Sequence, residues 1–440
     1  MKAAIAAAAI GGMLLTAWPA AAGPTPRPTA TVVYRVKKGD TLSQLAARYL
    51  TTPNAAPLLA RLNRLRDPRH LPADFALKVP IRLLRQEPVR ARVHSFGGRV
   101  TVTVGGKPRS PTPGLLLDEG SAIETGANAF ISLDLPDGTI VTMPSQSRMT
   151  IGRLRQTLLT GSLDRRFDIA AGRVRAVVTP MTDPRSNFRI STPVAVSAVR
   201  GTEFRVGYDP IVRRATTEVI TGKVAVTGTG KTNRLVVAGY GAATGPATGV
   251  SLPAALLPSP EPIGPTGWQR DPDLSFAVKP VPGAVGYRLQ IARDAGFLDV
   301  LSETDSAQPG FTLPTLPDGT YFSRIAAIDA AGLEGRSDIF GFERRLHAMT
   351  TSMEEQSGGK RRQYLFRWHD LGNGRYVYRF QLARCGAEGT PIIDQANVAD
   401  LGLVVSDLPV GNYCWRVQSI GLGDKGDAIW SDIGKFTIAN

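Results

Sequence analysis

A sequence pattern that occurs twice in the C-terminal third of the chain constrains its fold more than any other feature. The heptapeptide Tyr-Arg-x-Gln-x-Ala-Arg begins at Tyr287 and again at Tyr378. Downstream, the pattern Leu-Pro-x-Gly-x-Tyr-x-x-Arg begins at Leu316 and again at Leu408. The period of about 92 residues suits one sandwich domain per copy and is too long for most solenoid repeats. The duplication therefore predicts two β-sandwiches in tandem.

The overall composition favours a mainly β protein built from several domains. The 440 residues allow about three domains of roughly 150 residues each. Hydrophobic residues make up 42% of the chain, which is enough to build real cores. The 46 glycines and 33 prolines favour many short elements joined by turns.

The N-terminus has the parts of a secretory signal peptide, which we expect at residues 1–22. Lys2 supplies the positive charge, residues 3–18 are apolar, and three alanines at 20–22 fit a small-residue cleavage site. The apolar run is short for a membrane span, and we find no later run that is long and apolar enough. We therefore expect a periplasmic, cell-wall-associated protein in an oxidising compartment, without a transmembrane span.

The chain is strongly basic, with a net charge of +15. Such an excess of positive charge is typical of proteins with a polyanionic partner. Because export removes the chain from intracellular nucleic acid, we expect no nucleic-acid partner. We interpret the charge as a solvated basic surface in an anionic envelope.

Residues 31–81 form a compact candidate module with the element order βααβ, after a proline-rich spacer at residues 23–30. Alternating apolar residues predict a strand at each end of the module. Between the strands, apolar residues at helical spacing predict two short helices. Either Asp40 or Thr41 is able to cap the first of these helices.

Two motifs in this module have a specific spacing. The first is Tyr34-x-Val36-x-x-Gly39-Asp40-Thr41-Leu42-x-x-Leu45-Ala46-x-x-Tyr49. The second is Asn63-x-Leu65-x-Asp67-Pro68-x-x-Leu71, followed by Leu77-x-Val79-Pro80. Together they resemble LysM domains, which bind N-acetylglucosamine-containing glycans, chiefly peptidoglycan and chitin. The sequence departs from the family at Ala73-Asp74, where Pro-Gly is usual.

The LysM resemblance implies a shallow sugar groove between the loop after the first strand and the loop before the last strand. One side of this groove would consist of Gly39, Asp40, Thr41 and Leu42, and the other of Asp67, Pro68, Arg69 and Leu71. Loop amides and carbonyls would pair with the acetamido group, and small apolar side chains would contact its methyl. Asp40 and Thr41 also have a purely structural interpretation as helix caps.

Residues 91–230 are dense in β-branched residues and are interrupted by glycine turns at strand-sized spacing. This pattern predicts a two-sheet sandwich or roll. Asp137-Gly138 between two apolar runs is a strong hairpin signal. We also expect paired strands that turn at Gly97-Gly98 and at Arg200-Gly201-Thr202.

Several short motifs in this region resemble the FecR periplasmic domain. They are Gly120-x-x-Ile123-x-Thr125-Gly126, Leu135-x-Asp137-Gly138-Thr139, Gly172-x-Val174, Thr192-Pro193-x-Ala195 and Arg200-Gly201-Thr202-x-Phe204-x-Val206. The resemblance implies a sensing or interaction scaffold and not a catalyst. Family members that relay iron signals carry a cytoplasmic anti-sigma segment and a membrane span. Here an export signal and the LysM-like module take their place, which argues against direct control of a sigma factor.

The duplicated region follows a predicted linker at residues 245–266, and we place its two copies at residues 268–344 and 360–440. Both copies resemble fibronectin type III modules, which usually act as spacers or protein-binding arms. In that fold, Cys385 would end one strand and Cys414 would begin its antiparallel neighbour, so a disulfide is expected. The first copy has Asp294 and Phe322 at the matching positions.

The sequence offers little catalytic chemistry. Its four histidines lie far apart without metal-ligand spacing, and we find neither a nucleophile elbow nor a P-loop. We therefore expect no metal, no cofactor and no enzymatic activity. The enzyme alternative is a glycan hydrolase using the carboxylates at 118–119 or 134–137, although turn and surface positions explain these residues better.

These features predict a mainly β, multidomain scaffold or adaptor that holds peptidoglycan and presents its β domains to an envelope protein partner. The alternative is a periplasmic FecR-type sensor that receives a signal from an outer-membrane partner.

Overall fold

The computed structural model describes residues 30–67, 69–230, 232–264, 267–358, 361–372, 374–386, 390–422 and 428–439. The predicted signal peptide, nearly all of the predicted spacer and Pro68 lie outside these residues. The chain divides into two compact units. The first comprises Met1–Gln86 with Thr157–Gly161, and the second comprises Glu87–Gln156 with Ser162–Asn440.

The first unit contains the predicted βααβ order. Its elements are β1 (Thr31–Arg35), α1 (Leu42–Tyr49), α2 (Ala56–Leu62) and β2 (Ala76–Pro80), followed by a 3₁₀ turn at Ile81–Leu83. The strands pair antiparallel, with Val32 opposite Val79. Leu45, Ala46 and Leu59 of the helices are buried against this pair, so apolar burial holds the helices on the small sheet.

The second unit begins with a region that we call the β-domain (residues 87–255). Its strands, the first of which starts one residue earlier, are β3 (Gln86–Pro88), β4 (Ala91–Gly97), β5 (Val100–Val104), β6 (Lys107–Arg109), β7 (Leu116–Leu117), β8 (Ala122–Thr125), β9 (Phe130–Asp134), β10 (Ile140–Met143), β11 (Arg148–Thr157), β12 (Leu163–Val177), β13 (Asn187–Ser191), β14 (Ala195–Val199), β15 (Glu203–Asp209), β16 (Arg214–Thr221), β17 (Lys223–Gly228), β18 (Asn233–Val237), β19 (Tyr240–Gly245), β20 (Gly249–Val250) and β21 (Ala254–Ala255).

The β-domain is built from two sheets that share the long strand β12. The N-terminal half of β12 pairs with β11 and β13, and its C-terminal half pairs with β10 and β15. Gly172 stands where the strand passes from one sheet to the other, and its φ is +79°. A Cβ at this position would lie 2.4 Å from the Ser147 hydroxyl oxygen, so only glycine fits. A continuous apolar core fills the space between the sheets.

The predicted turns are present, but only the Asp137-Gly138 turn closes the hairpin we expected. That turn joins β9 to β10, which pair directly. At Gly97-Gly98 the chain passes from β4 in one sheet to β5 in the other. Around Gly201 it likewise passes from β14 in one sheet to β15 in the other. These two turns therefore cross between the sheets, and the predicted hairpin pairings there were wrong.

The segment predicted as a linker at residues 245–266 contributes strands to the β-domain. Strands β20 and β21 both pair with β19, and Val250 and Leu256 are buried. The β-domain thus extends beyond residue 230, where the sequence placed its end. Short strands in a stretch rich in proline and alanine leave little periodic signal, which explains the difference.

Two sandwiches follow the β-domain. The first sandwich (residues 268–344) packs a sheet ordered β22-β28-β27-β24-β25 against the pair β23-β26. Its strands are β22 (Trp268–Gln269), β23 (Leu274–Ala277), β24 (Ala284–Ala292), β25 (Val300–Ser306), β26 (Gly310–Leu313), β27 (Gly319–Asp329) and β28 (Ile339–Arg344).

The second sandwich (residues 349–438) begins about ten residues before the predicted boundary at 360, because β29 pairs along its whole length with β30. Its sheets are β29-β30-β33 and β32-β31-β34-β35, with β36 also on β34. Its strands are β29 (Met349–Gly358), β30 (Arg361–Asp370), β31 (Tyr376–Arg384), β32 (Ile393–Val398), β33 (Gly402–Ser406), β34 (Gly411–Gly421), β35 (Ala428–Trp430) and β36 (Gly434–Ile438).

The repeated sequence motifs make the same contacts in both sandwiches. The Tyr321 hydroxyl donates to the Pro317 carbonyl at 2.9 Å, and the Tyr413 hydroxyl donates to the Pro409 carbonyl at 2.5 Å. This is the tyrosine corner of Greek-key sandwiches. The repeated glutamine and arginine also pair in each copy: Arg324 with Gln290, and Arg416 with Gln381. The mainly β fold expected from the sequence is confirmed.

The predicted disulfide between Cys385 and Cys414 is present, with a Cα–Cα distance of 5.1 Å. Cys385 directly follows β31, and its amide donates to the Asn412 carbonyl at 3.0 Å. Cys414 lies in β34 opposite Ala383. The end of one strand thus meets the start of its antiparallel neighbour.

Buried charged side chains join the β-domain to the first sandwich, at a contact that we call the junction. Glu334 accepts from Arg205 of the β-domain at 2.8 Å and from Arg288 of the first sandwich at 2.7 Å. Burial alone would raise the pKa of Glu334, but Arg205 and Arg288 outweigh it and hold the pKa well below its usual range. Glu218 lies 3.8 Å from Arg205, and burial raises its pKa to about 7. Glu334 is therefore a charged partner that both guanidiniums share, and Arg288 also pairs with Asp305 at 2.7 Å.

An apolar contact accompanies these ion pairs at the junction. Phe130 of the β-domain is buried in one cluster with Ala292, Phe297 and Val300 of the first sandwich, and Phe322 packs against it. Large aromatic rings buried between two domains contribute strongly to their association. The β-domain and the first sandwich are thus joined by both charge and apolar packing.

Candidate functional site

The loop between β1 and α1 is organised by Asp40 and Thr41. One carboxylate oxygen of Asp40 accepts from the Tyr34 hydroxyl at 2.9 Å and from the Lys37 amide at 2.8 Å. Thr41 is the N-cap of α1, and its hydroxyl accepts from the Gln44 amide. The sequence left the cap open between these two residues, and the structure assigns it to Thr41.

Burial and the hydrogen bond to Asp40 raise the pKa of Tyr34 to about 12. The Tyr34 ring lies 6.3 Å from the ring of Tyr49, and Arg48 stands over the Tyr49 ring at 5.2 Å. Both tyrosines are half-buried, so each ring keeps an accessible part. Our sequence-based site omitted these residues, although both belong to the motif that points to the family.

The second loop of the predicted groove, before β2, is ordered by Asp67. Its carboxylate accepts from the Arg69 amide at 2.9 Å, and its carbonyl accepts from the His70 amide at 3.2 Å. The side chains of Asp67 and Arg69 are exposed. Pro68, between them, lies outside the described residues.

The chain brings the two sides of the predicted groove together through backbone hydrogen bonds next to them. The Val36 amide donates to the Phe75 carbonyl at 3.1 Å, and the Asp74 amide donates to the Val36 carbonyl at 2.8 Å. Leu42 is buried, and Leu71 packs against the same apolar cluster. These two predicted site residues therefore hold the loops in place from inside.

The side chains that remain free for a ligand differ from the full predicted set. Gly39 and Thr41 are exposed on the first loop, as are Asp67 and Arg69 on the second. Gly39 has φ +91° and open space around its missing side chain, so its backbone is accessible. Such a surface, with backbone groups, hydroxyls and aromatic edges, suits a neutral, polar ligand.

Asp74 occupies a backbone conformation that favours glycine, since its φ is +63°. Asp74→Gly is expected to stabilise the first unit by about 0.5 kcal/mol, because relief of the left-handed strain exceeds the extra chain entropy of glycine. Hydrogen exchange of residues 31–83 in the full chain measures this change. The matched control is Ala73→Gly, whose backbone is not left-handed, so that only the entropic loss remains and stability should fall. A loss of stability in Asp74→Gly as well would contradict the view that the backbone of Asp74 is strained.

Neither a metal centre nor a membrane-spanning helix is found within the described part of the chain. No three or more His, Cys, Asp and Glu side chains there are grouped so that they could hold a metal ion. None of the helices in those residues has the length and apolar character needed to cross a membrane.

Comparisons with solved structures gave distant matches. A Parabacteroides distasonis protein assigned as an anti-sigma factor is 22% identical over 30% of this chain, with a TM-score of 0.25, and the chain spans 59% of its length. A two-domain fibronectin type III segment of chicken tenascin is 14% identical over 42% of this chain and 99% of that segment, with a TM-score of 0.22. No curated protein matched the chain.

Two family models match separate parts of the chain. Residues 34–80 match the LysM domain, and residues 121–225 match the FecR protein family. The first match covers both loops of the candidate groove, and the second covers β12 and most of the strands around it. The chain thus contains a LysM domain followed by a FecR domain.

Proposed function

We propose that this chain is an exported peptidoglycan-binding scaffold or adaptor of the bacterial envelope. The observation that carries the proposal is the LysM domain, whose exposed loop residues include Thr41 and Arg69 on opposite sides of the candidate groove. LysM and FecR domains are both typical of envelope and periplasmic proteins. The FecR domain and the two sandwiches would then present surfaces to an envelope protein partner.

Cosedimentation of the mature chain with purified sacculi tests this function. We expect the wild type to pellet, and Thr41→Asp combined with Arg69→Ala to bind about tenfold more weakly, which corresponds to about 1.4 kcal/mol. Aspartate keeps an oxygen for the helix cap while placing a charge in the groove. Replacing Asp40 would be a poorer test, because its carboxylate orders the loop through Tyr34 and Lys37.

Arg61→Ala is the matched control, since Arg61 is an exposed arginine at the end of α2, outside the candidate groove. It should pellet like the wild type. Equal pelleting of the groove variant and this control would remove the site assignment. A wild-type chain that stays in solution would overturn the proposal itself.

We further propose that the chain is not an enzyme. The carboxylates considered for a glycan hydrolase are engaged in ion pairs: Asp118 with Arg90, Glu119 with Arg155, and Asp134 with Arg92. Asp137 is paired with the buried Arg165. Paired carboxylates are poorly suited as a general acid. Sacculi recovered from the cosedimentation should therefore release no soluble fragments, and their release would refute this view.

The FecR domain at residues 121–225 favours a second candidate, a periplasmic sensor that takes a signal from an outer-membrane partner. Neighbouring genes for sensors or sigma factors would support the sensor over the scaffold. In either case, glycan binding would hold the protein at the cell wall.

A further inference from the structure

A cavity of about 510 Å³ lies at the junction between the β-domain and the first sandwich. The β-domain contributes Arg175 and Arg205 to its lining, and the first sandwich contributes Arg324 and Arg336. Its volume is in the range of small-molecule sites, which occur preferentially where two domains meet. It lies outside the LysM domain, so its function would be separate from glycan binding.

The lining holds more positive than negative charge. Its two carboxylates are Glu203 and Asp338, against four guanidiniums. Glu203 pairs with Arg175 at 2.7 Å. Arg205 pairs with Glu334, which is not part of the cavity lining. Across the described residues, neither Arg324 nor Arg336 has a carboxylate within 4.0 Å. These two guanidiniums are therefore the charges that a ligand could neutralise.

The guanidinium of Arg324 is held in a fixed orientation, and its terminal nitrogens remain available to a ligand. Its Nε donates to the Gln290 side chain at 2.7 Å, and its guanidinium stacks over the Phe297 ring at 4.1 Å. Within the described residues, those terminal nitrogens have no hydrogen-bond acceptor. Burial and the neighbouring Arg175 lower the pKa of Arg324 to about 9, which reflects a cation that lacks compensation.

Arg336 lies at the exposed side of the same cavity. Its guanidinium packs against the backbone of Gly239, where an added Cβ would lie 2.3 Å from a terminal nitrogen. Leu256 and Ile339 add apolar surface to the lining. The cavity thus combines a half-buried cation, an exposed cation and apolar surface.

We propose that this cavity binds a small organic oxyanion, a carboxylate or a phosphate, through Arg324 and Arg336. The planar guanidinium matches two oxygens of either group in a bidentate arrangement. The apolar part of the ligand lies against Leu256 and Ile339. Because the lining comes from both domains, the ligand strengthens their association.

Isothermal titration calorimetry on the mature chain tests the site with three probes: inorganic phosphate, N-acetyl-alanyl-alanine as the free acid, and the same dipeptide as its amide. We expect saturable binding of phosphate or of the free acid, and none of the amide. Binding of the acid alone identifies a carboxylate ligand, and binding of phosphate alone identifies a phosphorylated one. Arg324→Gln and Arg336→Gln should each weaken binding at least tenfold.

Arg416→Gln is the matched control, because Arg416 occupies the equivalent repeat position, pairs with the equivalent glutamine and lies outside this cavity. Its binding should equal that of the wild type. Arg336 is exposed, so its replacement tests the site without disturbing the junction. Absence of saturable binding by both oxyanions, or unchanged binding in both cavity variants, would overturn the proposal. Neither result depends on sacculus binding.

Discussion

Replacing Glu334 by glutamine is expected to lower the free energy of unfolding at the junction by about 3–5 kcal/mol. The side chain is buried, and its two oxygens accept from Arg205 and Arg288 at 2.8 and 2.7 Å. The substitution keeps the shape but removes the closest charged partner of Arg205, which retains only Glu218 at 3.8 Å, whereas Arg288 keeps its ion pair with Asp305. Hydrogen exchange of β15 and β24, which carry the two arginines, measures the change.

The control for this variant is Glu261→Gln, which removes an exposed carboxylate that lies 2.6 Å from Lys279. Both partners are largely in water, which screens their attraction, so the loss of stability should be much smaller than in Glu334→Gln. If the two variants lost equal stability, the buried pair would not be what holds the junction together.

Exchanging Cys385 and Cys414 for serine is expected to destabilise the second sandwich by about 3–4 kcal/mol. The disulfide joins residues that are 29 positions apart, and its loss returns the conformational entropy of that loop to the unfolded chain. Trp368 and Trp415 are buried in this sandwich, so the denaturant midpoint of tryptophan fluorescence reports the change.

Reduction of the wild type should reproduce the midpoint of the serine variant, because both remove the same cross-link. Exchange in the first sandwich, which has no cysteine, should stay as it is. A midpoint that does not move would show that strand pairing alone closes this loop.

Turns could be predicted from the sequence more reliably than strand pairings. Gly201 and Gly222 both have positive φ, and a Cβ on Gly222 would lie 3.0 Å from the Gly201 carbonyl oxygen. The sequence therefore marks where the chain must reverse. It does not show whether the next strand joins the same sheet, since that depends on residues far away in the chain.

The candidate groove could be predicted as two loops, but not as a set of side chains. A family motif records residues that pack and residues that bind without distinguishing them. Leu42 proved to be a core residue and Asp40 a loop-ordering residue, whereas Thr41 and Arg69 are exposed. Burial and hydrogen bonding, which only the fold reveals, show which of these side chains are accessible to a ligand.

The junction was beyond sequence reasoning. Arg205 and Glu334 are 129 positions apart, and neither belongs to a pattern with a recognisable period. Ion pairs of this kind follow from how two domains pack, so no local signal announces them.

The two C-terminal sandwiches differ in the contacts made at one pair of equivalent positions. Where the second copy has Cys414, the first has Phe322, whose ring packs on a cluster that includes Phe130 of another domain. The disulfide lies wholly within the second copy, whereas Phe322 ties the first copy to the β-domain. Cutting out the first copy would expose the aromatic side chains that pack against Phe130 and would leave Arg205 of the β-domain without Glu334, inviting aggregation. Although the two copies share their sequence motifs, one would not replace the other in the chain.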